Sequence, residues 1–118
     1  MSARRSSARG HAAALVHSVP VFAALGDPTR LRLVARLGTE GPLSIARLTD
    51  GTDVTRQAVS KHLRVLAGAG LARGVRRGRE QLWRIEAAPL DEARRSLERI
   101  SQGWDEALGR LKAAVEED

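Results

Sequence analysis

The sequence predicts a small, mainly α-helical domain that carries one two-stranded β-hairpin and ends in a long helix suited to pairing with a second copy. Three observations predict it. Apolar residues recur at spacings of three and four through the first two thirds of the chain, the period shifts towards two between Leu71 and Glu86, and the three-and-four spacing then returns to the C-terminus. The 118 residues suit one domain with a tail. Apolar residues make up 42% of the chain and aromatics 3%, so the core must be built from Leu, Val, Ile and Ala.

The elements follow in order. Met1 to Gly10, with Arg4, Arg5 and Arg9 among Ser, Ala and Gly, has no apolar period, and residues 1–17 are expected to form a flexible basic tail. Ser18 is a candidate cap for a short helix through Phe22 and Leu25 that stops at Gly26. Asp27-Pro28 opens a second helix, because an aspartate accepts free first-turn amides and a proline there leaves none unpaired. Its stripe reads Leu31, Val34 and Leu37 until Gly38 to Pro42 break it. Ser44 caps a third helix, Ile45 to Thr49, and Asp50 to Asp53 is a turn. Thr55 caps a fourth, running to about Ala67, with Val59, Leu63 and Leu66 on its inward stripe. Leu71 to Arg76 and Gln81 to Glu86 read as strands joined by a Gly78-containing turn, with Trp83 and Ile85 on one face. Pro89 starts a last helix whose Leu90, Ala93, Leu97, Ile100, Trp104, Leu108 (or Ala107), Leu111 and Val115 form a coiled-coil-like seam. The expected units are thus the tail at 1–17, a helical domain with a hairpin at 18–88 and a dimerisation helix at 89–118.

Charge localises the function. The chain holds 20 Lys and Arg against 14 Asp and Glu, a formal +6, and 18 of the 20 bases are Arg. Residues 1–53 contribute +3, residues 54–86 contribute +6, and residues 87–118 contribute −3. A polyanion is therefore expected to meet the middle of the chain. There the third and fourth helices have the anatomy of a helix-turn-helix reader, whose second helix enters the major groove. Gln57 suits adenine, Arg56 and Arg64 suit guanine, Ser60 and Lys61 suit bases or phosphates, and the free amides at Thr55 suit a phosphate. Arg76, Arg77 and Arg79 around Gly78 make the hairpin tip a basic wing for a minor groove. His62, beside Val59 and Leu63, has two readings: a hydrogen bond between helices, or a phosphate contact.

At this point the residues resemble a known family. FAALGDPTRLRL (Phe22 to Leu33), QAVSKHLRVL (Gln57 to Leu66), Ala69-Gly70-Leu71 and the Arg77-Gly78-Arg79 wing are similar to the ArsR/SmtB winged helix-turn-helix repressors over roughly residues 20–88. The resemblance implies a homodimer that binds double-stranded DNA at an inverted-repeat operator and is released by an effector. It also implies that Thr55, Gln57, Ser60 and His62 face DNA and that Arg77 and Arg79 are wing contacts. The chain departs from the metal-sensing members, because SIARL (Ser44 to Leu48) holds no thiolate and the last helix holds no His. Carboxylates alone suit borderline metals poorly, so neither a metal nor any other cofactor is expected.

The seam of the last helix exceeds what its own domain can cover, so Phe22, Leu90, Leu97, Ile100, Trp104, Leu108 and Leu111 are expected at a dimer interface. Trp104 has two readings, a dimer anchor or one wall of a small apolar effector pocket between subunits. An enzyme is not expected: there is no Cys or Tyr, the three His are unframed by acids, and no Gly-rich phosphate loop follows a strand. The longest uncharged stretch, His11 to Gly26, is shorter than the about 20 apolar residues of a membrane span, and a cytoplasmic location is expected. The runner-up from another class is a winged-helix module for protein interaction or nonspecific architectural DNA binding, which would bind all sequences alike.

Overall fold

The computed structural model describes residue 10 and residues 12–117. Residues 12–17 are helical (α1). After them come α2 (Val19–Leu25), α3 (Pro28–Glu40), α4 (Ile45–Thr49), α5 (Arg56–Gly68), β1 (Ala72–Arg77), β2 (Glu80–Ile85) and α6 (Ala87–Glu116). The architecture is the expected one, mainly helical with one antiparallel hairpin. The 12–17 segment, placed above with the tail, is a correction: its Leu15 carbonyl accepts from the Ser18 amide at 3.0 Å, leading straight into α2. Ser18 is buried and makes no side-chain cap. The basic arm itself, residues 1–9, and His11 lie outside the described residues.

Local chemistry sets the other helix starts. Asp27 Oδ2 accepts the Arg30 amide at 2.9 Å, Ser44 Oγ the Arg47 amide at 3.2 Å, and Thr55 Oγ1 the Ala58 amide at 3.1 Å. Each satisfies a donor that a helix start leaves free. The Arg30 amide is also the main reason the Asp27 carboxyl is held below the usual carboxylate range. Contrary to expectation, α3 runs through Gly38 and ends only at Gly41, whose φ of 83° takes the chain out of the helix. Its buried residues are Leu33 and Leu37, not Leu31, which is 53% exposed. Leu31 and Leu33 are about 200° apart on a helix of 3.6 residues per turn, so only one of them can face inward. The last helix begins at Ala87, and Pro89 sits in its first turn, where a missing amide hydrogen breaks no bond.

The core lies between α3, α4, α5 and the root of the hairpin. Leu48, Val59, Leu63, Leu66 and Leu71 are fully buried, joined by Leu33, Leu37 and Leu43, with Val21 and Ala24 from α2 and Ala93 from α6. Phe22, Leu90 and Trp83 pack at its edge. In the hairpin Arg77 pairs with Glu80, leaving a two-residue turn, Gly78-Arg79, shorter than the four residues expected. Gly78 has φ 64° and Arg79 does not share it, the pattern of a type II′ turn, which follows the strands' natural twist. Leu43 exchanges two backbone hydrogen bonds with Trp83, at 3.0 and 2.8 Å, which ties β2 to the segment between α3 and α4.

Candidate nucleic-acid interface

The same residues that bury one face of α5 expose the other. Val59, Leu63 and Leu66 hold the helix in the core, while Thr55, Arg56, Gln57, Lys61 and Arg64 are exposed and Ser60 is half-buried. Arg76, Arg77 and Arg79 are exposed at the tip of the hairpin. Among the described residues, none of the six cations in these two groups lies within 4.0 Å of a carboxylate. They stand uncompensated, unlike Arg94 and Arg95 of α6: Arg94 meets Asp91 at 2.8 Å and Glu98 at 2.6 Å, and Arg95 meets Asp91 at 3.7 Å. These pairs hold the Asp91 carboxyl below its ordinary range, chiefly through the Arg94 hydrogen bond. Free cations on a protruding helix and loop attract phosphates; paired ones do so far less.

Two arginines of α3 that sequence reasoning did not single out frame this surface. The Arg36 guanidinium donates to Glu40 at 2.7 Å and to the carbonyls of Arg47 and Leu48 at 3.2 Å each. It thereby covers carbonyls at the end of α4 that have no partner inside that helix. Arg30 Nε donates to the Ala24 carbonyl at 2.6 Å and Nη2 to that of Ala23 at 3.4 Å, tying α2 to α3. Its Nη1 stands 3.4 Å from His62 Nδ1, and Asp27 Oδ2 is 3.9 Å from the same nitrogen. His62 is therefore turned towards α3, and of its two readings the geometry supports the contact between helices. The only sequence signal for the two arginines was their place on a helix whose other charged positions are surface ones.

The seam of α6 is bare along most of its length. Leu97, Trp104, Leu108 and Leu111 are exposed, Val115 is 67% exposed, and Val16 and Val19 add to the apolar surface near the N-terminal end. Ile100 is half-buried, and Phe22 and Leu90 divide their area between the core's edge and a shallow groove shared with Leu25 and Leu97. No helix among the described residues is long and apolar enough to cross a membrane.

Comparison with known proteins agrees with this arrangement. A family profile described as a helix-turn-helix domain matches residues 25–75. The HTH-type transcriptional regulator Rv2034 of Mycobacterium tuberculosis is 36% identical over 85 residues, which cover 72% of this chain and 76% of that protein. The solved structure of an ArsR-like transcriptional regulator from Rhodococcus sp. RHA1 superposes with a TM-score of 0.72 at 38% identity, covering 83% of this chain and 92% of that one. At the level of fold alone, a homodimeric winged helix-turn-helix DNA-binding domain from Mycobacterium bovis, Mb0332, matches with a TM-score of 0.53 at 24% identity, over 91% of this chain and 90% of that one. With an exposed polar face on α5, a basic hairpin tip beside it and relatives that are regulators of transcription rather than enzymes, the chain belongs to the ArsR/SmtB family of winged helix-turn-helix DNA-binding transcriptional regulators.

Proposed function

We propose that the chain is a homodimeric, cytoplasmic repressor that reads an inverted-repeat operator through α5 and grips the flanking duplex with its wing. The observation that carries this reading is the set of uncompensated cations on α5 and the hairpin tip, opposite a fully buried helix face. A two-fold dimer through the bare seam of α6 presents two such helices, and two identical readers call for a palindromic site. The reading does not involve a metal. Ser44 to Leu48 offers no thiolate, and on the first half of α6 the carboxylates of Asp91 and Glu98 are engaged by arginines.

Selection from random duplex DNA followed by footprinting with bulk competitor tests it. A protected inverted repeat is expected, and a protein that prefers no sequence by even about tenfold is an architectural binder instead. Residue roles separate in the same assay. Gln57→Ala is expected to cost about 1 to 3 kcal/mol of discrimination at one or two base pairs per half-site while leaving affinity for random DNA in place. Arg77→Ala is expected to weaken binding to every sequence and to flatten the slope of log affinity against log salt by about one per subunit. Equal losses of Gln57→Ala on specific and random DNA would remove it from the base-reading set.

A further inference from the structure

We propose that His62 is a positioning residue, one that sets the orientation of α5 against α3 through Arg30, and that its protonation loosens the reading helix. The inference rests on the reading of α5 as the helix that enters the major groove. His62 lies about 140° around the helix from Gln57 and about 200° from Ser60 and Arg64, away from the exposed polar face. Its side chain is 23% exposed. The groups facing it belong to α3 and its cap: Arg30 Nη1 at 3.4 Å from Nδ1, and Asp27 Oδ2 at 3.9 Å. From α2 the carbonyls of Ala23 and Ala24 accept from Arg30 and hold its guanidinium in place. One guanidinium thus fastens α2, α3 and α5 at a single point.

The direction of the contact is fixed by chemistry. A guanidinium has donors only, so Nδ1 can join it only as an acceptor, with the proton on Nε2. When the ring takes a second proton, Nδ1 becomes a donor facing a donor and a cation facing a cation. The remaining partner is Asp27, which stays ionised in mild acid because its carboxyl is held below the ordinary range. Protonation therefore exchanges Arg30 for Asp27, and α5 loses its tie to the point where α2 is fastened.

A direct phosphate contact by His62 predicts the opposite sign, because a protonated ring would bind DNA more tightly. The test uses the full chain and a duplex selected with the wild type at pH 7.5, with affinity measured by fluorescence anisotropy at constant salt at pH 7.5 and 5.5. Wild-type affinity is expected to fall about tenfold on acidification, the scale of one charge-assisted hydrogen bond. His62→Asn keeps an acceptor near the Nδ1 position without titrating, and is expected to stay within about threefold of wild type at both pH values. His62→Leu is expected to lose about tenfold at both. Amide hydrogen exchange without DNA should show α5 protected in wild type and His62→Asn at pH 7.5, and less protected in His62→Leu and in wild type at pH 5.5. Tighter binding in acid, an Asn variant as weak as the Leu variant, or α5 exchange that ignores both pH and variant would overturn the proposal. A wild type that selects no sequence would defeat the operator reading, while hydrogen exchange would still decide whether His62 holds α5.

Discussion

Replacing Trp104 and Leu111 together with glutamate is expected to give a folded monomer that has lost its operator. The two side chains are 65% and 63% exposed in the single chain, so their removal takes little from its own core. Across a two-fold each residue counts twice, and burying one Trp or Leu contributes about 1.5 to 3 kcal/mol. Four lost anchors amount to at least about 6 kcal/mol, on the order of a 10⁴-fold rise in the dimer dissociation constant. Burying four carboxylates in their place adds to that. Half-sites are then met one at a time, and the gain from tethering two reading helices disappears. Light scattering, circular dichroism and a gel shift read the three quantities separately. A variant that is still dimeric by light scattering would show that the partner does not sit on this seam. Ile100 is a poorer probe because it is half-buried against its own chain, so a charge there tests folding and pairing at once.

Most of the helical order was legible because the signals were local. A capping side chain, a proline in the first turn and a glycine beyond the last are chemistry that one short segment carries out by itself, and Asp27, Ser44 and Thr55 each cap as their neighbours required. The stripe of α5 was legible for the same reason, its spacing of four and three being unambiguous. The stripe of α3 was not, because leucines at 31, 33 and 37 fit two faces and the choice is made by what packs on them. The bond exchange between Leu43 and Trp83 was hidden because it joins segments far apart in sequence. Arg30 and Arg36 were hidden more deeply. An arginine on a helix reads as solvated surface, and only the arrival of carbonyls from neighbouring helices converts it into a tie. For His62 the sequence left two partners open, and the geometry of α3 favours one of them.

That division also explains the charge pattern. The +6 of residues 54–86 is largely free to meet phosphate, whereas Arg30 and Arg36 from the first part of the chain are bound to carbonyls, to His62 and to Glu40, and Arg94 and Arg95 of the last helix to Asp91 and Glu98. Counting arginines alone overstates the electrostatic surface, because Arg30, Arg36, Arg94 and Arg95 are engaged by carbonyls or carboxylates while, among the described residues, the six cations of α5 and the wing tip are not. The salt slope of operator binding should therefore report α5 and the wing.

Leu63→Ala is expected to lower the stability of the fold by about 3 kcal/mol, within the roughly 2 to 5 kcal/mol seen when a fully enclosed leucine is cut back and its cavity cannot collapse. Leu63 is fully buried on the inner face of α5, one residue from His62, so the loss falls on the helix whose outer face is proposed to read DNA. A domain of this size has a total of about 5 to 15 kcal/mol, and the variant should melt well below the wild type in a thermal scan. DNA should restore part of the difference, since a ligand at a hundred times its dissociation constant stabilises the folded form by about 2.7 kcal/mol. Arg64→Ala, on the opposite face of the same helix, is expected to behave in the reverse way, melting like the wild type in the absence of DNA and gaining less from the operator. If Leu63→Ala melted with the wild type, the inner face of α5 would not be bearing on the core as described. If the operator stabilised both variants equally, the outer face would not be the one in contact with DNA. The two faces of a single helix thus separate folding from reading, because Val59, Leu63 and Leu66 must be buried before Gln57 and Arg64 are presented in a fixed register.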